Sequence, residues 1–349
     1  MFFAYLRSDN DKQQGGRSLS DMKKAMILLG VLLIPVFLII LNNKGRGDLE
    51  KDNITFKKRL SDYGLFKGKM ADLVPNEQGI VYDLASTLFT DYSDKQRIIF
   101  LPIGTKILAS NDGLPEFPDG TIITKSFFYP QKEEDHGLKR MLLETRLLIN
   151  KKGQWNAATY QWNPNQDEAY LLTDSATVPV SFLDSKGAER QTNYIIPSRA
   201  DCAACHRQVN RMLPIGPKIR NLNKKISYGK DTIPQLEYFR KRAVLDMASL
   251  IQINVLPDYE DQTESLSKRG RAYLEMNCAH CHNPKGTAYM TMLDLRFEIP
   301  LSETGIWLKQ AKIMGRMGMQ GEMHMPQKGT TVLHDEGLAL IKNYLLTLK

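Results

Sequence analysis

Three kinds of hydrophobic pattern succeed one another along the chain. The first is an unbroken apolar run from Ala25 to Leu41, 17 residues long. As a helix it measures about 25 Å, near the lower limit for crossing a hydrocarbon core of about 30 Å. The apolar core of a cleaved signal peptide is shorter, about 7–15 residues, and no small-x-small site follows this run. It is therefore expected to be an uncleaved transmembrane anchor, with residues 1–24 as a polar cytoplasmic tail and residues 42–79 as a charged tether. The Lys and Arg content of its two flanks is nearly equal, so flanking charge does not orient it.

The second pattern runs from Ile80 to Ile196. Short stretches rich in β-branched and aromatic residues (Arg97–Leu101, Thr121–Tyr129, Lys139–Ile149, Trp155–Trp162, Thr177–Phe182, Asn193–Ile196) alternate with turn signals such as Pro118-Asp119-Gly120 and Lys151-Lys152-Gly153. This spacing predicts an antiparallel sheet rather than βαβ units, which need long helical connections. The third pattern, after Cys202, is helical. Gln235–Ile251 and Ser265–Asn277 read as helices, and His334–Lys349 as a closing helix with Leu338, Ile341, Leu345 and Leu348 at helical spacing. The expectation is an α+β chain. A transmembrane helix at 25–41 leads to a mainly antiparallel β domain at 80–253, a linker at 254–264, and an all-α domain at 265–349.

Composition narrows this picture in two ways. The net charge of +8 is mild and has no Lys/Arg block dense enough for a nucleic-acid footprint. A basic face of this kind could still steer an acidic partner. The four cysteines are more informative, because all fall in two strings, Cys202-Ala-Ala-Cys205-His206 and Cys278-Ala-His-Cys281-His282. None is left for a structural disulfide or a lone nucleophile.

Two cysteines three apart on a helical turn project to one side, within reach of the two haem vinyl groups, and the histidine that follows sits under the iron. A zinc ribbon places its paired strings about 15–20 residues apart, and thioredoxin-like chemistry needs a βαβ context that neither string has. Two covalently bound haem c groups are therefore expected, with His206 and His282 as iron ligands. Since bacteria attach haem outside the cytoplasmic membrane, the chain is expected in the bacterial inner membrane as a single-pass protein with its C-terminal domains in the periplasm.

Gly270 and Leu274, eight and four residues before Cys278, and Tyr344 in the closing helix, which should pack across the helix leading into the string, follow the small cytochrome c pattern. Between the string and the closing helix lies Met323-His324-Met325-Pro326, similar to the Met-Pro loop that supplies the distal ligand in class I cytochromes c. Met325 is the candidate thioether ligand, with Met323 and His324 as competitors; such a ligand raises the potential. At the first string, Gly216-Pro217 resembles the Gly-Pro whose proline carbonyl accepts the proximal histidine's Nδ1–H in that class. The distal ligand of the first haem is open: His136, Met212, Met247, or none.

From Tyr82 to its end the chain resembles a family of bacterial envelope dihaem c-type cytochromes. Leu88-Phe89-Thr90-Asp91-Tyr92, Leu101-Pro102-Ile103-Gly104-Thr105, Phe117-Pro118-Asp119-Gly120-Thr121, Glu144-Thr145-Arg146 and Leu293-Asp294-Leu295-Arg296 carry the likeness. The β segment with Lys125 is also similar to lysine-crosslinked cytochromes that oxidise hydroxylamine. The resemblance implies electron transfer between redox partner proteins, whether a membrane complex, a dehydrogenase or a soluble carrier. The alternative is an enzyme, peroxidase-like or hydroxylamine-oxidising-like, with an open first haem acting on a small molecule and the second haem as relay.

Overall fold

In the computed structural model of the chain, residues 54–132, 138–184, 186–247 and 253–348 are described. Alternating apolar positions build a six-stranded antiparallel sheet in the order β1-β2-β4-β5-β6-β7. Its strands are β1 (Gly79–Tyr82), β2 (Asp94–Phe100), β4 (Ile122–Lys132), β5 (Leu138–Lys151), β6 (Gln154–Trp162) and β7 (Ala169–Leu171). Strand β3 (Ile107–Ala109) lies outside it and pairs in parallel with β14 (Leu245–Met247), while β8 (Ala176–Leu183) and β9 (Glu189–Ile196) form a separate hairpin. The β5–β6 hairpin closes through Lys152 and Gly153, both at positive φ. A two-residue turn with that backbone matches the right-handed twist of the strands it joins.

Among the described residues six α-helices follow: α1 (Arg199–His206), α2 (Ile219–Leu222), α3 (Gln235–Lys241), α4 (Leu266–Asn277), α5 (Ile306–Gly318) and α6 (Asp335–Leu346). Two small hairpins lie among them, β10 (Arg207–Gln208) with β11 (Arg211–Met212) and β12 (Lys225–Tyr228) with β13 (Asp231–Pro234). Helices α4 and α6 cross closely. A Cβ on Gly270 would lie 2.5 Å from the Tyr344 ring, and one on Gly337 would lie 2.3 Å from the Tyr273 hydroxyl. The pairing of Gly270 with Tyr344 is the crossing expected from the sequence.

The expected division into a β domain and an all-α domain is corrected by the core. One continuous cluster joins Ile80, Ile99 and Ile123 of the sheet to Leu274, Ile341 and Tyr344 of the helices. Residues 52–349 form a single compact unit, so no separate all-α cytochrome domain exists. The helices use the sheet face as the other half of their core, because three short helices bury too little apolar surface alone. Segment 254–264, expected as a linker, buries Leu256 and Tyr259 in that same core. From the expected tether, Leu60, Leu65 and Leu73 pack on the opposite face of the sheet, against Ile98, Leu147 and Tyr160.

Two further expectations change. The helix expected at Gln235–Ile251 ends at Lys241, and the chain then turns through Ala243 at positive φ into β14. Among the described residues no helix is long and apolar enough to cross a membrane. This corrects the expected single-pass inner-membrane placement with its periplasmic domains; the Ala25–Leu41 run itself lies outside the described residues.

Candidate functional site

The first cysteine string is helix α1. Ser198 caps it, accepting from the Asp201 N–H while the Asp201 carboxylate accepts from the Ser198 N–H, a reciprocal capping box. The helix lies against β6, with Cys202 buried and its sulfur 3.7 Å from Thr159 Oγ1. Directly after His206 the β10–β11 hairpin turns the chain back. Leu213 N–H therefore donates to the His206 carbonyl at 2.9 Å, and His206 Nδ1 donates to the Leu213 carbonyl at 2.7 Å. The acceptor is thus Leu213 and not Pro217, a correction that follows from the hairpin, which brings position 213 opposite position 206. Pro217 instead lines a cleft of about 30 Å³ with Lys125, Arg146, Cys202 and His206.

The second string continues from helix α4. Cys278 N–H bonds the Leu274 carbonyl, and Cys281 and His282 N–H both return to the Cys278 carbonyl, making one tight turn. Asn283 steadies it from below through Nδ2 to the Ala279 carbonyl at 2.8 Å. Thr291 Oγ1 already donates its proton to the Ala288 carbonyl at 2.7 Å. The 2.9 Å contact between Thr291 Oγ1 and His282 Nδ1 is then a bond donated by the imidazole. Both string histidines are thereby held with Nδ1 protonated and Nε2 left as a lone-pair donor. Burial, followed by the nearby Lys125 charge, pushes His206 down to about 3, so its ring is neutral at ordinary pH.

The two strings dock on each other. Val209 N–H donates to the Lys285 carbonyl at 2.9 Å, and Thr287 Oγ1 to the Ala204 carbonyl at 3.3 Å. This brings a ligand atom from each of Cys205, His280 and Cys281 within 4.8 Å of one another. The interaction between the two thiols holds Cys281 below and Cys205 above the usual thiol range. His280, in the second variable position of its string, has a buried Nδ1 with no hydrogen-bond partner among the described residues.

Under the first string the sheet carries a row of cations. Residues directly opposite in neighbouring strands share a face, and the register places Tyr82, Arg97, Lys125, Arg146 and Thr159 side by side from β1 to β6. Arg146 makes two bonds, at 2.6 and 2.7 Å, to Glu144, which is fully buried and also accepts from Tyr194. Burial, then the charges of Arg97 and Arg146, push the Lys125 ammonium down to about 7.

The remaining candidates are scattered. Met325 is half-buried in the loop between α5 and α6, its N–H on the Arg316 carbonyl. His324 Nδ1 is tied to the Met319 carbonyl at 2.8 Å, and Met323 is exposed. Met212 and Met247 pack at the edge of the main core, and His136 lies outside the described residues. The sequence reading missed His280, Leu213 and the cationic row. Basic residues inside expected strands were the available signal for the row, but strand register was not readable.

The donor chemistry of the two strings fits haem: paired thiols, a neutral Nε2 and an oriented ring at each. The space beside His206 includes the 30 Å³ cleft and another of about 60 Å³ lined by Cys205, Met276, His280 and Asn283. Cofactor pockets measure several hundred Å³, so a macrocycle seats there only if the strings part. Beside Thr291, the partner of His282, the chain leaves Tyr289, Met290 and Met292 exposed, and Trp307 and Leu308 at the start of α5 are exposed as well. Comparison with protein-family models, with curated proteins and with solved structures finds no match to this chain.

Proposed function

We propose that this protein is a dihaem c-type cytochrome that passes electrons between redox partner proteins. The observation that carries this reading is the shared state of His206 and His282. Each follows a turn carrying two cysteines, and each gives Nδ1–H to a fixed oxygen and keeps Nε2 free. That is the tautomer an axial iron ligand needs, and the second bond sets the ring's orientation and basicity. Haem bound at each string supplies one-electron exchange at iron.

The chain's own residues would do the rest. Cys202 and Cys205 would hold the first group and Cys278 and Cys281 the second, with Met325 the candidate second axial ligand at the second string. The exposed apolar residues near His282 supply a surface that a macrocycle could cover. The chain produced with a haem-attachment system should carry two covalent haems that survive denaturation, measured by pyridine haemochrome absorbance and intact mass.

One observation favours a second reading, a soft metal ion at Cys205, His280 and Cys281, whose ligand atoms already converge. Thiolate and imidazole donors suit Zn²⁺ or Cu⁺. The same preparation separates the two: bound zinc or copper with no Soret band selects the metal site, and two thioether-linked haems exclude it, because they consume both thiols.

A further inference from the structure

Beyond the two strings the chain contains a much larger cleft, about 660 Å³, formed by segments 83–97, 259–269 and 334–340. Arg97 reaches it from the end of the cationic row. This residue is 4 % exposed. Its Nη1 donates to Asp83 at 3.3 Å, while its Nε is buried with no hydrogen-bond partner among the described residues. The Nε–H is therefore left without an acceptor, on the side-on edge with which a guanidinium meets a carboxylate in paired parallel bonds. Lys95, two residues earlier on the same strand face, also lines the cleft. It donates to the Ser93 carbonyl at 3.1 Å and forms no ion pair among the described residues.

The walls are flat and partly apolar. Phe89 stacks on His334 with ring centres 4.0 Å apart and planes 5° from parallel, and Tyr92 and Tyr259 stand edge-on to the same imidazole. The rim holds Asp83, Asp94, Glu260 and Glu336. Those acids disfavour a ligand of high negative charge, such as a phosphate ester, by like-charge repulsion. A single carboxylate brings less charge past those acids than a phosphate ester and, with a flat apolar body, meets the guanidinium edge and the aromatic wall. We propose that this cleft binds a small aromatic monocarboxylate, its carboxylate on Arg97 and Lys95 and its ring among Phe89, Tyr92 and Tyr259. This site is independent of what the two strings hold.

Titration calorimetry on the full chain as purified tests it, with benzoate as the probe and acetate, phosphate and benzyl alcohol as comparisons. Benzoate should bind more tightly than acetate, and benzyl alcohol and phosphate should not compete with it. Arg97→Lys keeps the charge but loses the planar edge and should weaken benzoate at least about tenfold. Lys95→Gln, at a less buried position, should weaken it several-fold and keeps the test open if Arg97→Lys fails to fold by circular dichroism. No benzoate binding at about 10 mM, weaker than ordinary ligand affinities, would overturn the proposal. So would benzyl alcohol binding equally well, or unchanged benzoate affinity in the folded Lys95→Gln chain.

Discussion

The two cysteine strings have the same chemistry in five residues and opposite surroundings. The first is pressed on a sheet beside three aligned cations, with Cys202 buried and His206 fixed to a backbone carbonyl. The second hangs from a helix end, with His282 fixed to a surface threonine and exposed apolar side chains following it. A string sets which donor atoms are present, whereas its support sets their charge environment and how much of the fold depends on them. The first string should therefore be coupled to the buried charges beneath it; the second has Cys278 and Ala279 in the main core, but its His282 end should be nearly independent of global stability.

The largest expected effect tests the shared chemistry. Cys278→Ala with Cys281→Ala should reduce covalent haem from two to one, and Cys202→Ala with Cys205→Ala should do the same, by haemochrome and mass. If either pair leaves the haem content unchanged, the common reading of the strings is lost.

The asymmetry is sharpened by removing one buried charge. Glu144→Gln leaves Arg146 without its carboxylate beneath the first string and should lower unfolding free energy by about 3–5 kcal/mol in denaturant titrations. Thr291→Val removes a bond at the surface beside His282 and should cost only about 1 kcal/mol. Equal losses would break the comparison. For the second string, Met325→Ala should abolish a thioether-to-iron charge-transfer band at the red end of the ferric spectrum and lower one of two potentials, with haem content unchanged. Survival of both signals would move the assignment to His324 or Met323.

A smaller effect appears in acid. Burial pushes His334 down to about 4, below its ordinary value of 6.5. Between those values the unfolded chain binds the proton that the folded chain refuses, so stability rises as pH rises from about 4 to 6.5 and is fully present above that. His334→Gln should flatten the profile over this window. An unchanged slope in unfolding titrations would remove His334 as its source.

Much of the local structure was legible from sequence alone. The central strands lie where β-branched runs alternate between Gly-containing turns, because side-chain period and turn chemistry are local properties. Helix α4 begins at its Ser265 cap, and Gly270 admits Tyr344, because only a residue without Cβ tolerates that approach. The donor atoms of both strings were likewise readable, since each string is a single helical turn. Helix α5 was not read, although its apolar residues recur at helical spacing; the structure buries only Ile306 and Met317 of it and leaves Trp307 and Leu308 exposed. Only the tertiary structure decided that sheet and helices share one core, that a hairpin presents Leu213 to His206, that Cys205 meets Cys281, and that Arg97, Lys125 and Arg146 line up. Each of these depends on strand register or on contacts between residues far apart in the chain. A one-residue slip in register sends a side chain to the opposite face of a sheet, and no local pattern records which register the packed core selects.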